Sequence, residues 1–181
     1  MSDQPQAAKS QIILSQPSPV WGTAADTQLH IVLVSPEIPP NTGSIARLCA
    51  ATGCHLHLVE PLSFALEDKH LRRAGLDYWP NVGLTVHRSF EEVERCFPPE
   101  RLHLFSARAT SSRYTDVRYQ PGDALIFGRE TKGLPPELTS RYPDRLRLIP
   151  IRPEGVRSLN LSNAASIALY EALRQLDFPN I

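Results

Sequence analysis

The stretch LHIVLVSPEIPPNTGSIARLCAATGCHLHLVE, residues 29–60, decides the fold. It opens on LHIVLVS, a short apolar run with β-branched residues, which reads as a buried strand. A proline-rich loop follows. Asn41 or Thr42 then stands where a helix needs a capping residue, and Gly53 stands where that helix needs a left-handed close. HLHLVE alternates apolar and polar side chains, as a second strand does.

The alternation continues outward. EDKHLRRAG reads as a second helix, LTVHR as a third strand, and SFEEVERCF as a third helix opened by Ser89 with glutamates near its start. RLHLFSA and DALIFG are further strands, the latter leading into the loop RETKGLP. PPELTSRY is a short helix begun by proline, and RLRLIPI is a last strand. RSLNLSNAASIALYEALRQL, residues 157–176, is an amphipathic terminal helix. Strands alternating with helices predict an α/β domain with a mostly parallel sheet flanked by helices. Residues 1–27, rich in Ser, Gln, Pro and Ala, read as a flexible extension, with Ile12 to Leu14 and Trp21 touching a single domain over residues 28–181.

The chain has 181 residues, 41% hydrophobic and 21% charged, an ordinary globular composition. Lys plus Arg equals Asp plus Glu at 19 each, which argues against a polybasic nucleic-acid arm or a membrane-surface protein. The basic side is rich in arginine, whose planar fork suits phosphate. Cys49, Cys54 and Cys96 are too few and too scattered for a disulfide framework, and no CxxC pair is present for zinc. Cys49, Cys54, His55 and His57 cluster in sequence, but helix face and strand alternation account for them, so no metal is expected. No apolar run approaches a membrane span and the N-terminus lacks a signal-peptide pattern, so the expectation is a cytoplasmic protein without a membrane.

The usual nucleotide fingerprints fail. No GxGxxG follows the first strand. GRETKGL has glycines at P-loop spacing, Gly128 and Gly133, but Leu134 stands where a lysine must follow. Three loops after apolar strands remain: PEIPPNTGSIARLCAATG, FGRETKGLP and IPIRPEGVRSLNLSNAASIALYEALRQL. In open α/β sheets such loops gather at the carboxyl ends of strands, where ligands bind. The last crowds Ser158, Asn160, Ser162 and Asn163 at the mouth of a helix, where one capping residue is enough. The surplus is available to a ligand, as are the unpaired N–H groups of the helix start.

With these three motifs in order, and with AGLDY and NLSNA, the chain from Leu29 onward resembles the SPOUT superfamily of RNA methyltransferases. It is most similar to the small single-domain group that methylates the ribose 2′-oxygen at the wobble position of transfer RNA. The resemblance implies a C-terminal trefoil knot, S-adenosylmethionine as cofactor, and a homodimer acting on the anticodon loop of leucine-type transfer RNAs. Residue by residue it assigns Phe105, Gly128, Ile149, Ser158 and Leu159 to the cofactor, Gly128 by letting a flat ligand approach the backbone. Ile151 shares the apolar wall beside Pro150, and Glu130 braces the loop or faces the cofactor. Asn160 and Asn163 shape the wall between cofactor and ribose, and Asn41 orders the loop around Arg47. The catalytic position falls on Arg47, which binds the adjoining phosphate and lowers the hydroxyl pKa. Arg72 and Arg73 are expected on phosphates, and Tyr78 or Trp79 on a splayed-out base. Arg108 or Arg113 replaces a cation that relatives carry after the Phe105 strand. Two other readings compete: an RNA-binding assembly factor without methyl transfer, and a ribosomal RNA 2′-O-methyltransferase.

Overall fold

The computed structural model describes residues 13–14, 28–65, 82–107, 112–152, 154–179 and 181. The helix expected over EDKHLRRAG lies outside them, as do Ile12, Trp21, Arg72, Arg73, Tyr78, Trp79 and Arg108. Among the described residues the strands are β1 (Ile13–Leu14), β2 (His30–Val34), β3 (His55–Val59), β4 (Leu84–His87), β5 (Leu102–Phe105), β6 (Ser112–Arg113), β7 (Ala124–Phe127) and β8 (Leu146–Leu148). They form one sheet in the order β1-β4-β3-β2-β7-β5-β8-β6, and every pairing is parallel.

The expected α/β architecture follows from burial on both faces. Every residue of β2, β5 and β7 is buried, as a strand covered by helices on both sides requires. One face packs Ile31, Leu33, Leu125 and Phe127 against α1 (Pro39–Thr52) and α4 (Leu161–Gln175). The other packs Val32, Val34, Leu104 and Ile126 against α2 (Phe90–Cys96) and α3 (Pro136–Arg141). Strand β8 stops at Leu148, two residues before Pro150, which has no N–H to give a ladder. Strands β1 and β6 were not expected, because two residues carry no period. β1 puts part of the N-terminal extension on the sheet edge, with Ile13 opposite Thr85 and Leu14 opposite Val86.

Helix α1 corrects the sequence reading at its start and bears it out at its end. Gly53 closes it at φ 69°, and the Cys54 N–H donates to the Cys49 carbonyl at 3.1 Å. At the start, Ile38 occupies the cap position and offers no side-chain bond, while Asn41 and Thr42 lie inside the first turn. Pro39 and Pro40 fix the entry instead, since a proline at the first helical positions forfeits only N–H groups that the helix cannot use. The cap itself comes from elsewhere in the chain.

Candidate functional site

The carboxyl ends of β5, β7 and β8 and the start of α4 enclose a cleft of about 950 Å³, large enough for a nucleoside-sized ligand. Phe105 ends β5, Gly128 follows β7, Ile149 and Ile151 follow β8, and Ser158, Leu159 and Asn160 lead into α4. Together with Asn41 and Glu130, all of them line this one cavity. Residues up to 119 positions apart therefore converge on one cavity. Arg47 does not line the cleft. It is exposed on α1, six residues beyond Asn41 or about 9 Å along the axis.

Glu130 supplies the missing cap of α1. Its carboxylate accepts from the Glu37 N–H at 2.8 Å, the Ile38 N–H at 3.2 Å and the Asn41 side-chain amide at 3.0 Å. A negative charge there also meets the positive end of the helix dipole. The exchange is reciprocal. The Glu37 carboxylate accepts from the Thr131 hydroxyl at 2.6 Å and the Thr131 N–H at 3.2 Å, and these bonds, the hydroxyl first, hold its pKa below the ordinary value.

Asn41 passes the connection on. Its Nδ2 donates to Glu130 and its Oδ1 accepts from Asn160 Nδ2 at 2.9 Å, so the network leaves the amide one orientation. Asn160 is the N-cap of α4. Its Oδ1 accepts from the Ser162 N–H at 2.9 Å, the Asn163 N–H at 3.3 Å and the Ser162 hydroxyl at 2.7 Å. The crowding of polar residues at this helix mouth is thereby explained. Asn160 caps with its oxygen and bridges to α1 with its nitrogen, while Ser158 and Leu159 face the cleft. One hydrogen-bonded chain, Glu130–Asn41–Asn160, ties all three motif loops together.

Gly128 is required for a different reason from the one expected. A Cβ at this position would fall on the backbone of Gly133 and Leu134, so chain fills the space assigned to a ligand. The loop folds back there because Arg129 and Gly133 exchange backbone bonds at 3.0 and 2.8 Å, with Gly133 at φ 72°. Part of the cleft wall is apolar: Phe105 stacks on Phe127 at 4.7 Å, with Ile149, Leu159 and Leu161 alongside. Flat apolar walls beside backbone donors and acceptors suit a purine.

Two further polar clusters lie in the sheet. Asp123 accepts from His103 Nε2 at 2.9 Å and pairs with Arg101 at 3.3 Å, while Arg147 Nε donates to His103 Nδ1 at 3.2 Å. The second was missed in sequence, where the histidines read as strand alternation. His30 Nδ1 meets His57 Nε2 at 3.1 Å and His57 Nδ1 meets His87 Nε2 at 2.9 Å, a chain of buried imidazoles across β2, β3 and β4. Burial first, then the neighbouring His55, His30 and His87, pushes the pKa of His57 well below its ordinary value, and burial lowers that of His87. The pattern that would reveal it is a histidine on each of three adjacent strands, which is visible only once the strand order is known. Burial also raises the thiols of Cys49 and Cys54, the latter to about 11, so neither is primed as a ligand or nucleophile. Among the described residues no group of three His, Cys, Asp or Glu side chains is arranged to hold a metal ion, and no helix is long and apolar enough to cross a membrane.

Comparison with known proteins agrees with the geometry. The SpoU rRNA Methylase family pattern matches residues 28–170. A tRNA (cytidine(34)-2′-O)-methyltransferase of Burkholderia cenocepacia is 48% identical over 152 residues, covering 82% of this chain and 96% of that protein. A solved structure described as "Structural insights into the 2-OH methylation of C/U34 on tRNA" superposes with a TM-score of 0.78 at 47% identity, covering 83% of this chain and 97% of that one. The SpoU methyltransferase AviRb from Streptomyces viridochromogenes, in complex with the cofactor AdoMet, superposes at 0.73 with 25% identity, covering 85% and 62%.

Proposed function

The chain belongs to the SpoU rRNA methylase family, and on that footing we propose that it methylates the ribose 2′-oxygen of the wobble nucleotide, C or U at position 34, in transfer RNA, using S-adenosylmethionine. The observation that carries this reading is the Glu130–Asn41–Asn160 chain, which draws three motif loops around one apolar-walled cleft.

The cleft fits the cofactor: Phe105, Ile149 and Leu159 offer apolar walls, and the segment after β8 keeps backbone polar groups for the edge of an adenine. When bound, the cofactor supplies an activated methyl on a sulfonium. The chain supplies position and polarisation. Ser158 and Leu159 hold the inner wall, and Asn160 and Asn41 keep the wall between cofactor and ribose in register. Arg47 takes the phosphate beside the target ribose and lowers the pKa of the 2′-hydroxyl. It acts by its charge, since a guanidinium with a pKa above about 12 is a poor base.

Arg47 lies outside its own cleft, which supports a homodimeric enzyme. Helix α4 exposes Ile167 and Tyr170, and Phe178 packs beside Tyr170 at 6.4 Å, an apolar face that a second copy covers. In this dimer reading, Arg47 of one chain serves the cleft of the other. The trefoil knot belongs to the same reading. Its support is the path of the chain, which reaches β8 beyond β5 and then returns as α4 onto α1 and β7. Residues 28–181 form the catalytic domain, working in the cytoplasm where transfer RNA is.

The test is transfer of labelled methyl from S-adenosylmethionine to unmodified leucine-type transfer RNAs, wild type beside Arg47→Ala, with the product nucleoside identified. A 2′-O-methylated wobble nucleotide, lost in the variant while cofactor affinity persists, is the expected result. Neither transfer nor cofactor binding in the wild type would overturn the reading.

A further inference from the structure

The whole chain is electrically neutral, but the cleft is not. Its lining contains Arg129, Lys132, Arg147 and Arg157 against a single carboxylate, Glu130. Two of these five are already committed. Glu130 is occupied by three donors at the start of α1, and the Arg147 guanidinium is bound to His103 and to the Asp144 and Leu146 carbonyls. Arg129, Lys132 and Arg157 remain, from two different loops, with Lys132 and Arg157 exposed at the rim.

Among the described residues none of the three has an ion-pair partner. Some arginines elsewhere are matched, Arg141 with Glu94 at 2.7 Å, Arg174 with Glu171 at 2.9 Å and Arg95 with Glu92 at 3.9 Å; what sets the rim apart is that three cations without such a partner converge on one cleft. Glu37, bonded to Thr131, is close enough to feel Arg129 and Lys132 and offsets part of their charge, but with Arg157 the cations still outnumber it. A neutral protein that gathers unmatched cations at the mouth of one cleft builds a local field for an anion.

That anion is not the cofactor. Near neutral pH, S-adenosylmethionine carries a sulfonium and an ammonium against one carboxylate, a net positive charge. A cationic rim repels it, so these side chains serve a second, anionic ligand. We propose that Arg129, Lys132 and Arg157 form a phosphate-gripping rim that seats the RNA backbone next to the target nucleotide and contributes nothing attractive to cofactor binding. The inference rests on the methyltransferase reading of the cleft. Its corollary is that RNA on the rim cancels the repulsion and tightens the cleft for the net-positive cofactor over its net-neutral product, S-adenosylhomocysteine. By linkage, the cofactor tightens RNA equally.

The experiment measures the affinity of an anticodon stem-loop RNA against salt concentration for wild type, the triple variant R129Q/K132Q/R157Q, and Arg95→Gln as a control on α2. Thermal melts confirm that each is folded, and calorimetry follows both cofactor forms. The triple variant is expected to reduce the slope of log affinity against log salt by about 2, from about 0.7 per phosphate contact on a single strand. It should bind S-adenosylhomocysteine as the wild type does and S-adenosylmethionine about threefold to tenfold more tightly, the scale of three charges acting through water across the rim. Arg95→Gln should change neither. An unchanged slope, or a parallel loss of affinity for both cofactor forms, overturns the proposal. A wild type that binds RNA with this salt dependence yet transfers no methyl overturns the methyltransferase reading and leaves the rim standing.

Discussion

Glu130, Asn41 and Asn160 at one end of the sheet, and His30, His57 and His87 across β2, β3 and β4, are both hydrogen-bonded chains, but the first reaches the surface at Asn160 while the second is buried, and they are built for different conditions. The first joins segments 89 and 119 residues apart, and two of its three members are amides with no proton to lose near neutrality. The second links neighbouring strands through imidazoles, and burial lowers the pKa of two of them, His57 and His87. Two links of the ligand-facing end are therefore amides that do not titrate, while the frame behind it contains imidazoles that do. Binding geometry and frame stability should respond to different perturbations.

Glu130→Gln tests that separation most severely. It removes the charge shared by two backbone N–H groups and Asn41, and it places an amide donor among donors. We expect a loss of about 1.5–3 kcal/mol in stability, the scale of a charged hydrogen bond. Methyl transfer should drop by at least about a hundredfold, because displaced loops misalign the reacting groups. Chemical denaturation and single-turnover assays read the two effects, and full activity in a folded variant would detach the network from the site.

Acid should act on the other network. The unfolded chain binds protons on these histidines as pH falls through their ordinary value of 6.5, while folded His57 and His87 resist at lowered values. Their contribution is complete above pH 6.5 and is lost as pH falls toward those lowered values, by up to about 1.4 kcal/mol per pH unit for each group. Denaturation midpoints between neutral pH and mild acid should fall in the wild type and flatten in His57→Gln. Equal slopes in the two proteins would remove the histidine chain as the source.

Asn160→Asp is the finest cut. Aspartate still caps α4, so stability should change by less than about 1 kcal/mol. Its carboxylate cannot donate to Asn41 Oδ1 and instead faces it, so methyl transfer should weaken while the melting temperature barely moves. A large loss of stability would mean that the bridge to Asn41, not the cap, is the main contribution of this residue.

The parallel sheet was legible because β2, β5 and β7 are uninterrupted apolar runs and Gly53 ends α1 where a left-handed residue is needed. The motif residues were legible as loops, and the structure gathers Asn41, Phe105, Gly128, Ile149, Ser158, Leu159 and Asn160 on one cavity. What escaped were relations between distant residues. Asn41 looked like a cap because a polar residue near a helix start usually is one; the actual cap, Glu130, comes from 93 residues beyond Glu37. Gly128 looked like room for a ligand, but its neighbour is the backbone of its own loop. The histidine chain was hidden because side-chain alternation gives each strand its faces and says nothing of which strands lie side by side.

The sequence separation within the Glu130–Asn41–Asn160 chain also sets when the site can exist. Helix α1 leaves the ribosome early with the N–H groups of Glu37 and Ile38 at its entry lacking their acceptor, since Glu130 is not yet made. Asn41 then waits for Asn160, made 119 residues later, and the α4 turn that Asn160 caps comes later still. A nascent chain can pair β2 with β3 long before that point, but its cleft stays unfinished until the C-terminal helix is free to dock. Any chain cut short before residue 160 lacks one end of the network, so a prematurely terminated product has no assembled cleft with which to compete for RNA or cofactor.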